Sequence, residues 1–218
     1  MKYIQRAQGV LQTRGWFGLL KFLCSRVVQF SEDLVFEKKL DDTAAAVPEK
    51  PGPDYQTHLL KASNLNAPEN RWLVQSVLQG EGLQYLQGLQ KEDCMVAIVQ
   101  NREVVHTSFV QFETSYKKLL NEANAAPLIG NCQTAQKHRG KGLYPYAINH
   151  CCHEIARRGC RRILISCAPD NVPSVSGIKK AGFVKVRRVK TLTVLSLCYC
   201  QKVMPKNGVK SRYRIGLI

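Results

Sequence analysis

The feature that most constrains this chain is its hydrophobic period, which switches repeatedly between two and about 3.6 residues from residue 55 to residue 200. CMVAIV (Cys94–Val99) and VVHTSFVQF (Val104–Phe112) are rich in β-branched and aromatic residues, with the polar run Gln100-Asn101-Arg102-Glu103 between them. That pattern predicts a hairpin. Leu128 to Ala135 reads as another strand. From Leu143 the period becomes helical: Ala147, Ile148, Cys151, Cys152 and Ile155 share one face, while Asn149, His150, His153, Glu154, Arg157 and Arg158 share the other. Pro145 is tolerated in a first turn, and Gly159 suits the C-terminal cap. RILISC (Arg162–Cys167) is a short strand, Asn171 to Ala181 a helix, and Gly182 to Val186 the start of a strand. Leu192 to Cys200 reads as the last strand. Upstream, Tyr55 to Ser63 is a strand and Glu69 to Leu89 is helical. This alternation predicts an α/β domain with a mixed central sheet flanked by helices.

The N-terminal segment reads differently. From Gly9 to Phe30, Trp16, Leu20, Leu23 and Val27 recur at helical spacing. Arg14, Lys21 and Arg26 interrupt the apolar run, which makes it a poor signal-peptide core. Two placements fit such an amphipathic helix: packed on the main domain, or lying on an anionic membrane through residues 9–30. DDTAAAVPEKPGPD (Asp41–Asp54) then reads as a proline-rich linker. The expected division is an N-terminal helix and linker over 1–52 and one domain over 53–218.

Charge narrows the ligands. The formal net charge is +16, and residues 136–218 carry 18 Lys and Arg against 2 acidic residues. The basic excess therefore sits in the C-terminal part, where it favours an anionic ligand: a phosphate-bearing cofactor, nucleic acid or an acidic membrane. The nine cysteines are odd in number and include no C-x-x-C. Several fall inside apolar patterns, which is how reduced thiols are used in the cytoplasm. In His150-Cys151-Cys152-His153 the helical register splits the side chains between opposite faces, so no metal is expected.

Between the strand ending near Ala135 and the helix beginning at Leu143 lies QKHRGKG. Glycines at Gly140 and Gly142 let backbone N–H groups approach a ligand, and the following helix offers free N–H groups and the positive end of its dipole. Arg139, Lys141 and Lys137 add charge. The turn lacks the G-K-S/T ending of a nucleoside-triphosphate loop and the G-x-G-x-x-G of a dinucleotide site. It resembles the acyl-CoA signature R-x-x-G-x-G/A of the GNAT N-acetyltransferase superfamily. A second signature follows: ISCAPDNVPSVSGIKKAGFVKV (Ile165–Val186) is similar to that family's strand, N-x-x-S, helix and G-F ending, with Asn171, Ser174, Lys180, Gly182 and Phe183 in matching positions.

The resemblance implies an acetyl-CoA-dependent N-acetyltransferase with the GNAT fold and no metal. The backbone of Arg139, Gly140, Lys141, Gly142, Leu143 and Tyr144 would hold the CoA pyrophosphate. Gln133 and Thr134 would meet the pantetheine arm and polarise the acetyl carbonyl through main-chain N–H. Asn171 and Ser174 would flank the thioester. A primary amine would attack directly, which needs orientation, an oxyanion donor and a route for the ammonium proton.

Three departures shift the expected roles. The final small residue of the loop falls at Tyr144, a side chain bulky enough to crowd the phosphate. The tyrosine that often protonates the leaving thiolate falls at Ile178, so Tyr144 or Tyr146 is expected to substitute, unless water does. The usual strand acid is missing, which leaves Glu113 and His106 as candidate bases. Cys132 reads as a buried strand cysteine rather than a nucleophile. The N-terminal extension and RGKGLYP run resemble GNAT members of surface-glycan synthesis, which suggests an amino sugar or nucleotide-linked sugar as acceptor; a homodimer is compatible with the resemblance. The rival reading is an inactive GNAT-fold protein binding nucleic acid or an anionic membrane through its basic C-terminal region. Nucleic acid is the less favoured partner, because no RNA-binding aromatic motif is present.

Overall fold

The computed structural model describes residues 27–40, 52–77, 86–122, 126–195, 198–205 and 210–217. Among them, nine strands form one sheet: β1 (Val28–Lys39), β2 (Gln56–Lys61), β3 (Cys94–Gln100), β4 (Glu103–Gln111), β5 (Leu128–Thr134), β6 (Arg162–Cys167), β7 (Val184–Val194), β8 (Cys198–Pro205) and β9 (Arg212–Leu217). The helices are α1 (Arg71–Ser76), α2 (Tyr116–Leu119), α3 (Leu143–Arg157) and α4 (Val172–Lys180). Strands run in the order β2-β3-β4-β5-β6-β1-β7-β8-β9. Every neighbouring pair is antiparallel except β5 and β6.

Alternation in the strands separates two apolar layers. Val96 and Val110 pack with Phe36, Ile129 and Ile165 against Ile148, Cys151 and Ile155 of α3 and Ile178 of α4. Met95, Ala97 and Phe109 turn to the other face and meet Leu73 of α1 and Leu86. Ile148 and Phe36 are fully buried, a gain of about 1.5–3 kcal/mol each by area. The expected α/β class with a mixed sheet between helices is therefore what forms. The β3–β4 hairpin forms as read, turning through Asn101 and Arg102, whose φ values of 52° and 61° suit the mirror-image turns that match strand twist.

α3 starts and stops where its sequence says. Gly142 is its N-cap at φ 77°. At the other end Gly159 takes φ 80°, and its N–H donates to the Ala156 carbonyl at 2.8 Å. Glu154, read as solvent-facing, is instead buried, with Lys61 at 2.9 Å and Arg158 at 3.0 Å. The pair to Lys61 ties α3 to β2.

Four expectations change. The helix read over Gly9–Phe30 does not extend to its end, because Val28, Gln29 and Phe30 are already in β1; residues 1–26 lie outside the described residues. β1 precedes the boundary expected at residue 52, yet it is an inner strand, antiparallel to β6 on one side and to β7 on the other. A strand of the sheet thus lies in the segment assigned to an appendage. The strand read over Leu192–Cys200 is two strands: β7 ends at Val194, Leu195 turns at φ 53°, and β8 begins at Cys198. Of the helix read over Glu69–Leu89, α1 covers Arg71–Ser76; residues 78–85 lie outside the described residues. No helix among the described residues is long and apolar enough to cross a membrane.

Candidate functional site

The site begins with a parting of strands. β5 and β6 pair at Leu128–Leu164 and Ile129–Ile165. Beyond those two rungs β5 runs on to Thr134 and β6 to Cys167 without pairing each other. The cause lies partly in β5. Against β4, Phe109 pairs with Gly130 and Thr107 with Gln133, so Asn131 and Cys132 together oppose Ser108. Asn131 takes φ 44°. Such a bulge bends a strand and re-aims its N–H groups. Ala135 N–H donates to the Val105 carbonyl at 2.9 Å, so by the alternation of an antiparallel ladder Thr134 turns its main chain the other way, into the gap. There its carbonyl accepts from Nε of Arg139 at 3.2 Å.

The glycine turn closes one side of this opening. Gly140 and Gly142 both stand at positive φ, 78° and 77°, and a Cβ on either would meet nothing within 4 Å. Glycine is needed there for the left-handed backbone, not for space. No side chain caps α3, so the N–H groups of its first turn remain free for an anion. Asn171 caps α4 opposite, its Oδ1 accepting from Ser174 N–H at 3.2 Å. The result is a cleft of about 790 Å³ at the C-terminal ends of β5 and β6.

Of the residues singled out for a cofactor, Gln133, Thr134, Arg139, Gly140, Gly142, Leu143, Tyr144, Asn171 and Ser174 all line this cleft. Lys141 is exposed and is not part of the lining. Tyr144 needs a correction. The two glycines demanded by the backbone are Gly140 and Gly142, so Tyr144 belongs to the first turn of α3 rather than to the loop. Its ring does not crowd the turn but lies against Gly177 of α4: a Cβ at Gly177 would stand 2.4 Å from Cδ1 of Tyr144. Burial, with the thiol of Cys132 nearby, holds the Tyr144 hydroxyl above its ordinary range, and a hydrogen bond with Ser174 only partly opposes this. Ile178, where the sequence comparison sought a tyrosine, is fully buried core.

The two candidate bases are not brought in. Glu113 is exposed, just past the end of β4 where Gln111 pairs with Leu128. That is the opposite end of β5 from Thr134, roughly 20 Å away at about 3.3 Å per residue. His106 is fully buried beneath the cleft rather than lining it. Its Nδ1 lies 2.7 Å from Oγ1 of Thr134 and its Nε2 2.8 Å from Oγ of Ser108. Ser108 donates its only proton to Sγ of Cys132 at 3.2 Å. Nε2 must then donate to Ser108, so Nδ1 accepts from the Thr134 hydroxyl. Burial pushes the His106 pKa down to about 3, so the ring is neutral. It also pushes the Cys132 thiol up to about 12, which leaves no thiolate for a covalent route.

Other cleft residues escaped the sequence reading. His138 lines it, edge-on to Tyr55 at 6.3 Å, with a buried Nδ1 that has no partner among the described residues. Gly177 reaches it from α4, beside Lys180, which the second signature had already marked. His138 adjoins the glycine turn and could have been found by its position; Gly177 had no local signal. His150 and His153, both partly buried on α3, meet edge to face at 6.0 Å. Among the described residues no group of three His, Cys, Asp or Glu side chains is arranged to hold a metal.

Solved structures share this architecture. A GCN5-related N-acetyltransferase from Sphaerobacter thermophilus covers 88% of the chain at 17% identity and TM-score 0.54. A Drosophila protein covers 83% at 19% identity and TM-score 0.53. A tandem GNAT protein from the clavulanic acid biosynthesis pathway covers 77% at 16% identity and TM-score 0.52. The chain spans 58%, 58% and 54% of those three chains, a little over half of each. No family model and no curated protein matches the sequence. The likeness is one of fold, and the fold is that of the GNAT acetyltransferases.

Proposed function

We propose that this chain, which carries the GNAT fold, is an acyl-CoA-dependent N-acyltransferase that moves an acetyl group from acetyl-CoA to a primary amine. The observation that carries the reading is the parting of β5 and β6 beside an uncapped, glycine-led helix N-terminus. An extended thiol arm fits the first feature and a pyrophosphate the second. The residues fit the cofactor: free N–H groups with Arg139 for phosphate, and the inward main chain of Thr134 for the amides of the arm.

In the proposed reaction the amine nitrogen bonds to the thioester carbonyl carbon. The oxyanion is held by main-chain N–H at the β5 bulge, the C–S bond breaks, and the thiolate takes a proton. Tyr144 is assigned that donor role because it lines the cleft, whereas Tyr146 does not and has its hydroxyl 2.8 Å from Oγ1 of Thr57; the phenol regains its proton from solvent. The amine enters as its free base and releases its proton to solvent, since neither Glu113 nor His106 lines the cleft. An amino sugar or nucleotide-linked sugar is the acceptor class proposed, supported by the basic C-terminal region.

Thermal unfolding with acetyl-CoA tests the reading. At 100 times its dissociation constant the ligand adds about 2.7 kcal/mol, which raises Tm by roughly 5–10 °C in a chain of this size. The shift should vanish in Arg139→Glu/Gly142→Asp. A folded wild type with no shift would overturn the proposal.

A further inference from the structure

One end of the sheet is apolar and uncovered among the described residues. β1 begins there, β7 turns into β8 there, and β9 ends there. The rung Val28–Val194–Cys198–Leu217 forms the tip. The next rung on the same face is Phe30–Leu192–Cys200–Ile215. Paired residues share a face and residues two apart return to it, so these side chains form one surface. Phe30 is 82% exposed, Ile215 83%, Leu217 77% and the neighbouring Leu195 58%. Scattered exposed apolar residues are ordinary, but a contiguous patch of large ones marks an interaction surface.

We infer that this end of the sheet is a docking surface for an anionic lipid bilayer. The layering of chemistry along the strands supports that occupant. Behind the two apolar rungs comes Glu32–Lys190–Lys202–Tyr213. Lys202 lies over the Tyr213 ring at 5.7 Å, and Tyr213 is 70% exposed. Glu32 is taken up by Arg188 and Lys190. Lys210 and Arg212 are exposed beside this rung. Apolar tip, then lysine and tyrosine, is the order a bilayer presents from its acyl layer outward. Two residues of strand rise about 7 Å, and interfacial elements sink about 5–10 Å.

Charge argues against a second copy on this face, since pairing would bring the Lys190 and Lys202 of both chains together with only Glu32, already taken up by Arg188 and Lys190, to offset them. Residues 1–26 carry five Lys and Arg and no acidic residue, and they join the fold at Val27, whose carbonyl accepts from Leu195 N–H at this same end. The chain on both sides of the surface therefore favours an anionic partner. The cleft lies at the same end of the sheet: Leu34 pairs with Cys167, the last residue of β6, and Val28 to Asp33 project beyond it. Docking would hold the cleft beside the headgroups.

The test is co-sedimentation of the full chain with vesicles of phosphatidylcholine alone or with phosphatidylserine added at about a third of the lipid. Expected is binding to the anionic vesicles only, weakened several-fold by raising salt. Phe30→Ser/Ile215→Ser/Leu217→Ser should lower partitioning by about tenfold or more with its melting unchanged. If that variant misfolds, Lys190→Glu/Lys202→Glu should lose the anionic preference alone. Overturning results are no binding by the wild type, binding untouched by both variants, or a wild-type dimer that the triple variant turns into monomer without any vesicle binding.

Discussion

Gly177→Ala should destabilise this protein, although alanine is the better helix former. The position is inside α4 and its φ is not positive, so local energetics favour alanine by about 1 kcal/mol. Against this, the new Cβ would stand 2.4 Å from Cδ1 and 2.8 Å from Cε1 of Tyr144, where carbon pairs need about 3.5–4.0 Å. The ring must move by about 1 Å, and its surroundings resist: His106 has its ring centroid 6.1 Å away on one side, and Ser174 bonds the hydroxyl. Overpacking of this kind costs about 1–3 kcal/mol. The net loss is on the order of 1 kcal/mol, a fall in Tm of about 2–4 °C. In a Tyr144→Ala background the clash is gone, and the same substitution should raise Tm by a similar amount. The assay is a double-mutant cycle by thermal or urea unfolding. A Gly177→Ala protein more stable than wild type, or an effect of the same sign in both backgrounds, would refute the contact. Because the hydroxyl moves with the ring, the proposed acetyl transfer should, in Gly177→Ala, fall in kcat more than in KM.

Other expectations follow from burial and pairing. The folded pKa of His106 is about 3, below its unfolded value near 6.5, so the unfolded chain binds the extra proton between those values. Stability from this group is complete above about pH 6.5 and is lost as pH falls toward 3, by at most about 1.4 kcal/mol per pH unit; His106→Gln should flatten that slope in urea titrations at pH 7 and pH 5. Cys132→Ala should leave the proposed acetyl transfer unchanged, because a thiol whose pKa burial pushes up to about 12 plays no part in it. In the native protein at pH 8 an alkylating reagent should modify exposed Cys200 before Cys132, as peptide mapping would show. Glu154→Gln should cost about 1–3 kcal/mol, because it weakens the bonds to Lys61 and Arg158 on a mostly buried carboxylate; chemical denaturation at pH 7 measures it.

The cleft was largely legible in sequence because its parts are local. The strand before Ala135, two glycines at positive φ, Pro145 in the first turn and Asn171 before α4 are each written within a few residues of where they act. The roles that failed are those that depend on distance across the sheet. His106 and Glu113 are near in sequence, and both seemed able to reach the cleft. The register puts one beneath Thr134 and the other at the far end of β5. Arg162 and Arg187 show the same limit for charge: both meet Glu122, at 2.6 and 2.7 Å, so part of the basic C-terminal excess is spent inside the fold.

By itself, then, the sequence determined the succession of strands and helices from β2 to β7 except the short α2, together with the glycine-led start of α3 and the identity of most of the residues around the cleft. Period, turn chemistry and capping are short-range, and they act before any tertiary contact exists. Only the tertiary structure decided that β1 enters the sheet between β6 and β7, more than a hundred residues away along the chain, and that Gly177 makes room for Tyr144. Strand partners and close ring contacts are chosen by what fits across the folded core, and nothing in a residue's own neighbourhood along the chain records that choice.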